Sequence, residues 1–263
     1  ILPEIVVQDI RFERTGYATW QADSLPQGNT LSLANRMLWE NPASTRPNAP
    51  GTLATLSTRG AGPSRTAVLW NGLNLQSPMH GVVDLSLTPI WAGDHISLRY
   101  GGQSAALSSG AMGGAILIES DPPSPKRGIP VQLGISSGSF GRKEASGSLG
   151  VSNEKISSQI RGAWQQANND FPFQNTAQIG QPKVRQQNNF LKKTDIQQFN
   201  RLIINAKNVL KTAAWHQSAF RQIPPTMTES ATDTWQVDRS NRVVASWEHR
   251  PNRHSGWQAR VAW

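Results

Sequence analysis

Hydrophobic and polar residues alternate along most of the second half of the chain, and this pattern predicts β-strands. In residues 156–165 one face carries Ile156, Ile160 and Trp164, and the other face is polar. Six further segments repeat the alternation: residues 131–140, 142–152, 196–208, 210–220, 242–249 and 257–263. The sequence therefore predicts about seven strands after residue 130.

The connections between these strands are unequal. Gly141 and the pair Asn153 and Glu154 make short turns, whereas residues 168–194 and 221–241 make long polar loops. Tight turns at one end and long loops at the other are typical of an outer-membrane β-barrel. A soluble antiparallel sandwich alternates too, so periodicity alone leaves both folds open. A membrane barrel of one bacterial chain needs an even number of strands, at least about 8, so we expect the barrel to continue beyond Trp263.

Tryptophan is concentrated in the same half. Six of the ten tryptophans lie there, at strand positions such as Trp164, Trp215, Trp247, Trp257 and Trp263. Aromatic girdles at the two membrane interfaces use such residues, and so does the core of a sandwich. The tryptophans therefore agree with either fold.

Charge divides the chain near residue 125. Residues 1–125 carry 7 Arg, no Lys and 9 acidic residues, whereas residues 126–263 carry 19 basic and 8 acidic residues. Pro122, Pro123, Pro125 and Pro130 fall at the same place, where missing backbone N–H groups disfavour regular structure. We therefore predict a domain boundary there, with a first domain at 13–125 and a second at 126–263.

Composition argues against several classes of catalytic or metal site. There is no cysteine, which excludes thiolate nucleophiles, disulfides and cysteine-bound zinc. The five histidines have no spacing typical of metal ligands: His80, His95, His216, His249 and His254. We therefore expect no enzyme activity, no catalytic residues, no metal site and no cofactor. No signal peptide is recognisable, so an export signal is expected to have been removed or to lie outside this sequence.

Three ordered blocks in the first half carry the most specific signal. They are Leu-Ser-Thr-Arg-Gly at residues 56–60, Arg-Thr-Ala-Val-Leu-Trp-Asn-Gly at 65–72, and the glycine-rich stretch at 96–118. In order and spacing they resemble the plug domain of TonB-dependent outer-membrane receptors, and the resemblance covers about residues 2–120. It implies an α+β plug domain followed by the first antiparallel strands of a transmembrane β-barrel, present here as a fragment with the barrel incomplete.

The residues of these blocks also make physical sense without the family. Val68, Leu69 and Trp70 predict a short buried strand, and Asn71-Gly72 is a turn dipeptide that tolerates positive φ. The glycines of the third block allow close backbone packing before the apolar strand 115–118. The plug motif thus comprises nine residues: Arg59, Gly60, Asn71, Gly72, Arg99, Gly101, Gly110, Gly113 and Gly114.

One part of the family pattern is missing. The plug usually has Glu, then Arg three residues later, before a Gly-Pro, where this chain has Ser97, Tyr100, Gly101 and Gly102. We therefore assign the charged contacts between plug and barrel wall to Arg59 and Arg99.

The extreme N-terminus resembles a TonB box. Glu4, Ile5, Val6, Val7, Gln8 and Asp9 form a β-branched core between polar residues, suited to adding a strand to the sheet edge of the periplasmic partner TonB. A plain first strand of the plug is the alternative. The downstream blocks favour the box, so residues 1–12 are expected to be TonB box and linker.

The resemblance implies active uptake of a scarce nutrient, such as a ferric siderophore or cobalamin, into the cell across the bacterial outer membrane. We expect residues 73–86 to form an outward plug loop that contacts this small-molecule or metal-chelate ligand through Asn74, Gln76, Ser77, Met79 and His80. An ordinary connecting loop is the alternative.

The basic second half points to other partners. Its cations are spread among strands rather than gathered into one stripe, so nucleic acid is not an expected partner. On a barrel they would line the lumen and the rim that faces outer-membrane lipid and lipopolysaccharide. A non-transporting outer-membrane adhesin or structural barrel is the alternative function, and it would lack both box and plug.

Overall fold

The structure is a computed structural model that describes residues 17–21, 31–40, 45–47, 52–57, 60–100, 107–108, 110–122, 129–229, 232–251 and 256–263. Its first part contains one helix, α1 (Leu33–Glu40), among the described residues. The strands of this part are β1 (Tyr17–Gln21), β2 (Leu31–Ser32), β3 (Thr45–Pro47), β4 (Ala54–Leu56), β5 (Thr66–Trp70), β6 (Leu73–Asn74), β7 (Pro89–Ile90), β8 (His95–Tyr100) and β9 (Gly114–Glu119). A short 3-10 helix, Pro63–Arg65, precedes β5.

Five of these strands form the central sheet of the plug. Their order is β1-β8-β9-β5-β6, and β5 pairs in parallel with β9 whereas the other pairs are antiparallel. All five residues of β5 are buried because both faces of the sheet are covered at this strand. The predicted turn follows directly, with Asn71 at φ 47° and Gly72 at φ 82°. The predicted buried strand and turn are therefore confirmed.

The second part is one antiparallel sheet, called the wall here. Its order is β10-β11-β12-β15-β16-β17-β18, with a small hairpin of β13 and β14 in the connection between β12 and β15. The strands are β10 (Val131–Gly138), β11 (Arg142–Ser152), β12 (Ile156–Ala167), β13 (Pro172–Gln174), β14 (Lys183–Arg185), β15 (Leu191–Asn205), β16 (Asn208–Gln222), β17 (Trp235–His249) and β18 (Trp257–Ala262). The predicted seven strands are confirmed.

Two wall strands begin earlier than the sequence pattern predicts. β15 starts at Leu191 rather than at residue 196, and β17 starts at Trp235 rather than at residue 242. The added segments are rich in Lys, Asp, Gln and Ser, so they lack an apolar face. They form strands because their inward side chains bond to the plug and to one another. Such polar contacts leave no hydrophobic alternation in the sequence, so the pattern could not predict them. The two long loops are correspondingly shorter than predicted.

The wall has an inner face that packs on the plug and an outer face that is largely apolar. Inward positions of β15 and β16 are buried, among them Phe199 and Trp215. Outward positions leave large apolar side chains exposed: Val131, Leu133, Ile135, Leu149, Val151, Ile156, Ile160, Ile196, Leu202, Val237 and Val243. A soluble sandwich would bury its apolar face, so this polarity supports the membrane barrel over the sandwich.

Aromatic residues mark both ends of this outer face. Trp247 packs on Trp257 with ring centroids 4.7 Å apart at one end, and Phe220 stacks on Trp235 at 6.2 Å at the other. Trp235 and Trp247 lie twelve positions apart on β17. At roughly 3.4 Å per residue and a tilt of about 45°, they are roughly 30 Å apart along the membrane normal. That distance matches the hydrocarbon core of a bilayer.

The connections differ between the two ends of the wall, but the predicted separation of tight turns from long loops is incomplete, because the short turn at 139–141 lies beside the long connection at 168–190. We call the end with the turns at residues 153–155 and 206–207 the turn end, and the end with the connections at 168–190 and 223–234 the loop end. The described part of the chain includes no helix with the length and apolarity needed to cross a membrane.

Candidate functional site

A buried ion pair joins plug and wall. The guanidinium of Arg161 in β12 lies 2.9 Å from Asp94 Oδ1, and the two side chains are only 4% and 1% exposed. Arg161 also donates to Ser120 Oγ at 2.9 Å and to Gln197 Oε1 at 2.7 Å. Asp94 accepts hydrogen bonds from the Ser120 hydroxyl and from the Trp91 backbone N–H. Each charge is thus matched by an opposite charge and by hydrogen bonds, as buried charges must be.

The predicted plug turn connects to this pair. The side chain of Asn71 accepts from the Ser120 backbone N–H at 2.8 Å and donates to its carbonyl at 3.1 Å. Asn71 therefore holds Ser120 in place beneath Arg161. The role of this turn is to shape the end of β9 rather than only to reverse the chain.

A second ion pair lies nearer the loop end. Arg221 of β16 contacts Asp84 Oδ2 at 2.5 Å, and its Nε donates to Gln236 at 3.3 Å. The other oxygen of Asp84 accepts from the backbone N–H groups of Ala54 and Ser86. Asp84 thus bonds the wall while it orders its own loop.

A third contact lies nearer the turn end, where Lys211 of β16 is 3.3 Å from Asp121. In all three pairs the plug supplies the acid and the wall supplies the base. The negative first half and positive second half of the sequence therefore meet at this surface. The Asp121 side chain is 57% exposed, so removing one partner of this pair should cost less than removing one partner of a buried pair.

Between the first two pairs, a buried carboxylate of the wall faces the plug. Asp195 accepts from Trp215 Nε1 at 3.2 Å and from Gln217 Nε2 at 2.7 Å, and Lys193 lies 3.7 Å away. Gln217 and Lys193 also donate to plug carbonyls, those of Leu87 and Ser86. Asp195 therefore orients the wall side chains that hold the plug backbone.

The apolar part of the same surface is aromatic. Trp70 at the end of β5 is 1% exposed and packs edge-on against Trp215 at 5.3 Å and Phe199 at 6.0 Å. The Arg161 guanidinium lies 4.5 Å from the Phe199 ring centroid, and Arg242 lies 4.2 Å from that of Trp215. One core thus spans plug and wall.

The predicted ligand loop is bonded to the rest of the plug through two of its side chains. Asn74 and Gln76 are turned into the plug: Asn74 donates to Ser108 Oγ at 2.8 Å, and Gln76 donates to the carbonyls of Ser64 and Gly81. These bonds tie three plug loops together. Ser77 closes the loop tip by accepting from the Gly81 N–H at 2.8 Å.

The tip of this loop is open. His80 is exposed and Met79 is 85% exposed, and Met112 on the neighbouring loop is 71% exposed. The five predicted ligand residues therefore divide into Asn74, Gln76 and Ser77, which hold the loop, and Met79 and His80, which are accessible. Their contact with a ligand stays a prediction.

The predicted plug-motif residues occupy several places. Gly60 has φ 73°, Gly113 donates its N–H to the Arg65 carbonyl, and Gly110 lies so close to Gln76 that a Cβ would overlap that side chain. Gly114 begins β9 and Arg99 lies in β8. Arg59, Gly101 and the segment from Glu4 to Asp9 lie outside the described residues.

Among the described residues, Asp84, Asp94 and Asp121 of the plug make charged contacts with wall cations. The assignment of such contacts to Arg59 and Arg99 stays a prediction. One sequence signal could have found the wall partners: Arg161 and Arg221 lie on the polar face of alternating strands. The buried aspartates have no comparable signal, because each lies in a loop.

Comparison with known proteins agrees with this geometry. The family model of the TonB-dependent receptor plug domain matches residues 22–115. No curated protein matches the sequence.

Similar solved structures share the fold at low sequence identity. The copper transporter OprC is 16% identical, with a TM-score of 0.62 over 84% of this chain and 32% of its own. The ferric enterobactin receptor PfeA is 14% identical, with a TM-score of 0.63 over 95% of this chain and 41% of its own. The siderophore receptor PirA from Pseudomonas aeruginosa is 15% identical, with a TM-score of 0.56 over 94% of this chain and 40% of its own.

The chain thus spans between a third and two fifths of the length of these receptors. Its plug domain matches the family in sequence, and its plug and wall together match the receptors in fold. Residues 22–115 are therefore a TonB-dependent receptor plug domain, and the plug together with the wall shares the fold of these receptors.

Proposed function

We propose that this chain is part of a transporter that takes up a scarce nutrient, such as a ferric siderophore or cobalamin, across the bacterial outer membrane. The observation that carries the proposal is a plug held by buried ion pairs against the inner face of a wall whose outer face is apolar. A plug in that position blocks a barrel, so passage requires that the plug move or rearrange. The similar structures include a copper transporter and a siderophore receptor, which supports a small metal-containing ligand.

The ligand is proposed to bind at the loop end, which then faces the outside of the cell. In this proposal the exposed residues Met79, His80 and Met112 face that end, and the two methionines offer soft, adaptable side chains. Asn74 and Gln76 would act indirectly, by fixing the loops that present these residues.

The energy is proposed to come from the partner TonB, which would pair with the TonB box from Glu4 to Asp9. A β-branched segment near one end of the chain is suited to strand addition. The alternative, a non-transporting adhesin or structural barrel, would lack a plug. The match of residues 22–115 to the plug domain therefore favours the transporter.

The variant Val6→Pro in the complete receptor tests this proposal. Proline removes a backbone donor and fixes φ in the strand that would pair with TonB. Energised uptake should be lost, while binding of the nutrient to whole cells should be unchanged. Val6→Thr is the matched control, because it keeps the N–H and the β-branch, and it should transport normally. Equal uptake by the proline variant and wild type would contradict the assignment of the TonB box to the segment from Glu4 to Asp9.

A further inference from the structure

The outer face of the wall carries two polar side chains at mid-height. His216 of β16 and Asn241 of β17 are exposed and lie opposite each other in the register. Asn241 is six positions from Trp235 and six from Trp247, so it lies midway between the aromatic residues that mark the two ends of this face. Polar groups are costly at this depth of a bilayer, because hydrocarbon offers them no hydrogen bonds.

The hydrogen bond between these two side chains leaves one acceptor and one donor unmet. His216 Nδ1 lies 2.7 Å from Asn241 Oδ1. Because an amide oxygen accepts hydrogen bonds and does not donate them, Nδ1 carries the proton, and Nε2 of the neutral ring is an acceptor. Within the described part of the chain, neither this Nε2 nor the Asn241 amide nitrogen has a partner. The pair therefore presents an unmet acceptor beside an unmet donor.

Four more polar side chains extend this pair towards the turn end. Ser158, Gln198, Asn200 and Thr212 occupy outward positions and form one hydrogen-bonded chain across β12, β15 and β16. The Gln198 amide donates to Ser158 Oγ at 2.9 Å, and the Asn200 amide donates to Thr212 Oγ1 at 3.1 Å. The register puts these four residues and the first pair in three adjacent rows of the wall. We call these six residues the polar patch.

The polar patch carries no fixed charge. In its three rows, no outward position of the described wall strands is Lys, Arg, Asp or Glu. A charged partner would therefore be desolvated here without meeting a counter-charge. Amides, hydroxyls and a neutral imidazole each donate and accept hydrogen bonds, so the patch is complementary to a second copy of itself.

Small residues beside the polar patch allow two walls to approach closely. Ala214 lies next to His216 along β16, and Ala245 lies opposite Thr212. Gly162 occupies an outward position in the same row as His216. Association within a bilayer depends on close packing and hydrogen bonds, because lipid tails are as apolar as the protein surface. Small side chains around polar ones provide both.

Symmetry gives each unmet group its partner. Two copies insert the same way up, so the two-fold axis that relates them runs along the membrane normal and joins surfaces at equal depth. The Asn241 amide of one copy then donates to His216 Nε2 of the other, and the reverse bond forms at the same time. An isologous contact thus satisfies both groups at the depth where an unpaired polar group costs most.

We propose that the polar patch is the interface through which two copies of this receptor associate in the membrane, with reciprocal hydrogen bonds between His216 and Asn241. The inference goes beyond the proposed function, because it requires the wall to lie in a bilayer but involves neither the nutrient nor TonB.

The test is disulfide cross-linking of the complete receptor in isolated membranes. The variant Ala214→Cys places the only cysteine of these 263 residues beside the polar patch. A disulfide needs Cα atoms within about 7 Å, so oxidation should give a dimer on a non-reducing gel. Leu149→Cys is the matched control, because Leu149 is exposed in the same row but three strands away, and it should stay monomeric.

A second comparison tests the hydrogen bonds themselves. Adding His216→Leu/Asn241→Leu to the Ala214→Cys receptor should lower the dimer yield at least about fivefold, because the reciprocal bonds are lost. Adding Ser137→Leu/Gln166→Leu instead removes two outward polar groups near the loop end, outside the patch, and should change the yield less than about twofold.

Three results would overturn the interface: no disulfide dimer of Ala214→Cys, equal dimer yields from Ala214→Cys and Leu149→Cys, or a yield that the two leucine substitutions in the patch leave unchanged. Cross-linking to a different protein in place of a second copy also contradicts the proposal. If the leucine variant does not assemble, Asn241→Leu alone should still lower the yield, and an unchanged yield overturns the interface. Loss of nutrient uptake would contradict the proposed function without altering the dimer yield, so the two failures are distinguishable.

Discussion

Asp94 and Arg161 lie 67 residues apart in sequence and form an ion pair that is almost completely buried between plug and wall. Two charges taken out of water stabilise a structure little compared with an apolar contact, but the loss of one partner leaves the other uncompensated. The pair therefore makes the position of the plug specific, since a displaced plug would leave both charges buried without partners.

The variant Arg161→Gln should lower the free energy of unfolding of the plug by about 3 to 5 kcal/mol, because Asp94 is left as an uncompensated buried charge. The double variant Asp94→Asn/Arg161→Gln should lower this free energy by less than the single variant does. The measurement is protease cleavage of the plug in the complete receptor as urea is raised. Arg142→Gln is the control, because the Arg142–Glu144 pair is partly exposed and should contribute about 0 to 1 kcal/mol. Additive effects of the two substitutions would contradict the pairing.

Trp70→Ala should destabilise the receptor by about 3 to 5 kcal/mol, because it leaves a cavity between Phe199 and Trp215. Trp70→Phe should cost much less, since it keeps most of the ring contact and removes an indole N–H that has no hydrogen-bond partner among the described residues. Thermal unfolding in detergent measures both. Met79→Ala, at an exposed position, should change stability by no more than about 0.5 kcal/mol.

Gly72→Ala and Gly93→Ala should destabilise the receptor by similar amounts, because both residues have positive φ. A Cβ at Gly93 meets open space, and one at Gly72 overlaps only the guanidinium of Arg260 in β18, which is the end of an exposed and flexible side chain that can move aside. Both variants should lose about 1 to 2 kcal/mol of stability for the backbone conformation. Adding Arg260→Ala to the Gly72 variant should therefore change its urea unfolding little. A clear gain of stability on adding Arg260→Ala would contradict this, because it would show that the arginine is held in place at this turn.

Gln76→Ala and the pair Met79→Ala/His80→Ala should weaken nutrient binding in different ways. Gln76 ties the loop to the carbonyls of Ser64 and Gly81, so its loss should also increase proteolysis of the plug loops. The pair at the tip makes no such bonds with its side chains among the described residues, so proteolysis should be unchanged while binding falls. Unchanged nutrient binding in the variant Met79→Ala/His80→Ala would contradict a contact between these two side chains and the ligand.

The alternation of the wall strands and the buried β5 could be predicted because both follow from local periodicity. The beginnings of β15 and β17 could not, since their inward residues are polar and are accommodated by the plug, which is distant in sequence. The partners Asp84, Asp94, Arg161 and Arg221 could not be paired for the same reason: burial of each depends on a contact across 67 or 137 residues. Asn74 and Gln76 are residue types that often contact ligands, so the sequence predicted a ligand contact. Their hydrogen bonds within the plug show that they hold the loop together.

The parallel pairing of β5 with β9 has a consequence for assembly. It joins Thr66 to Gly114, 48 residues away, whereas three of the six connections between neighbouring wall strands are turns of two or three residues, and the strands they join can pair as local hairpins. Closing a long loop costs entropy before its contacts form, so pairings between distant residues form slowly. We therefore expect the wall hairpins to form before the plug sheet is complete. Trp70, at the end of β5, would then reach its aromatic neighbours late, and its docking would complete the folding of the receptor.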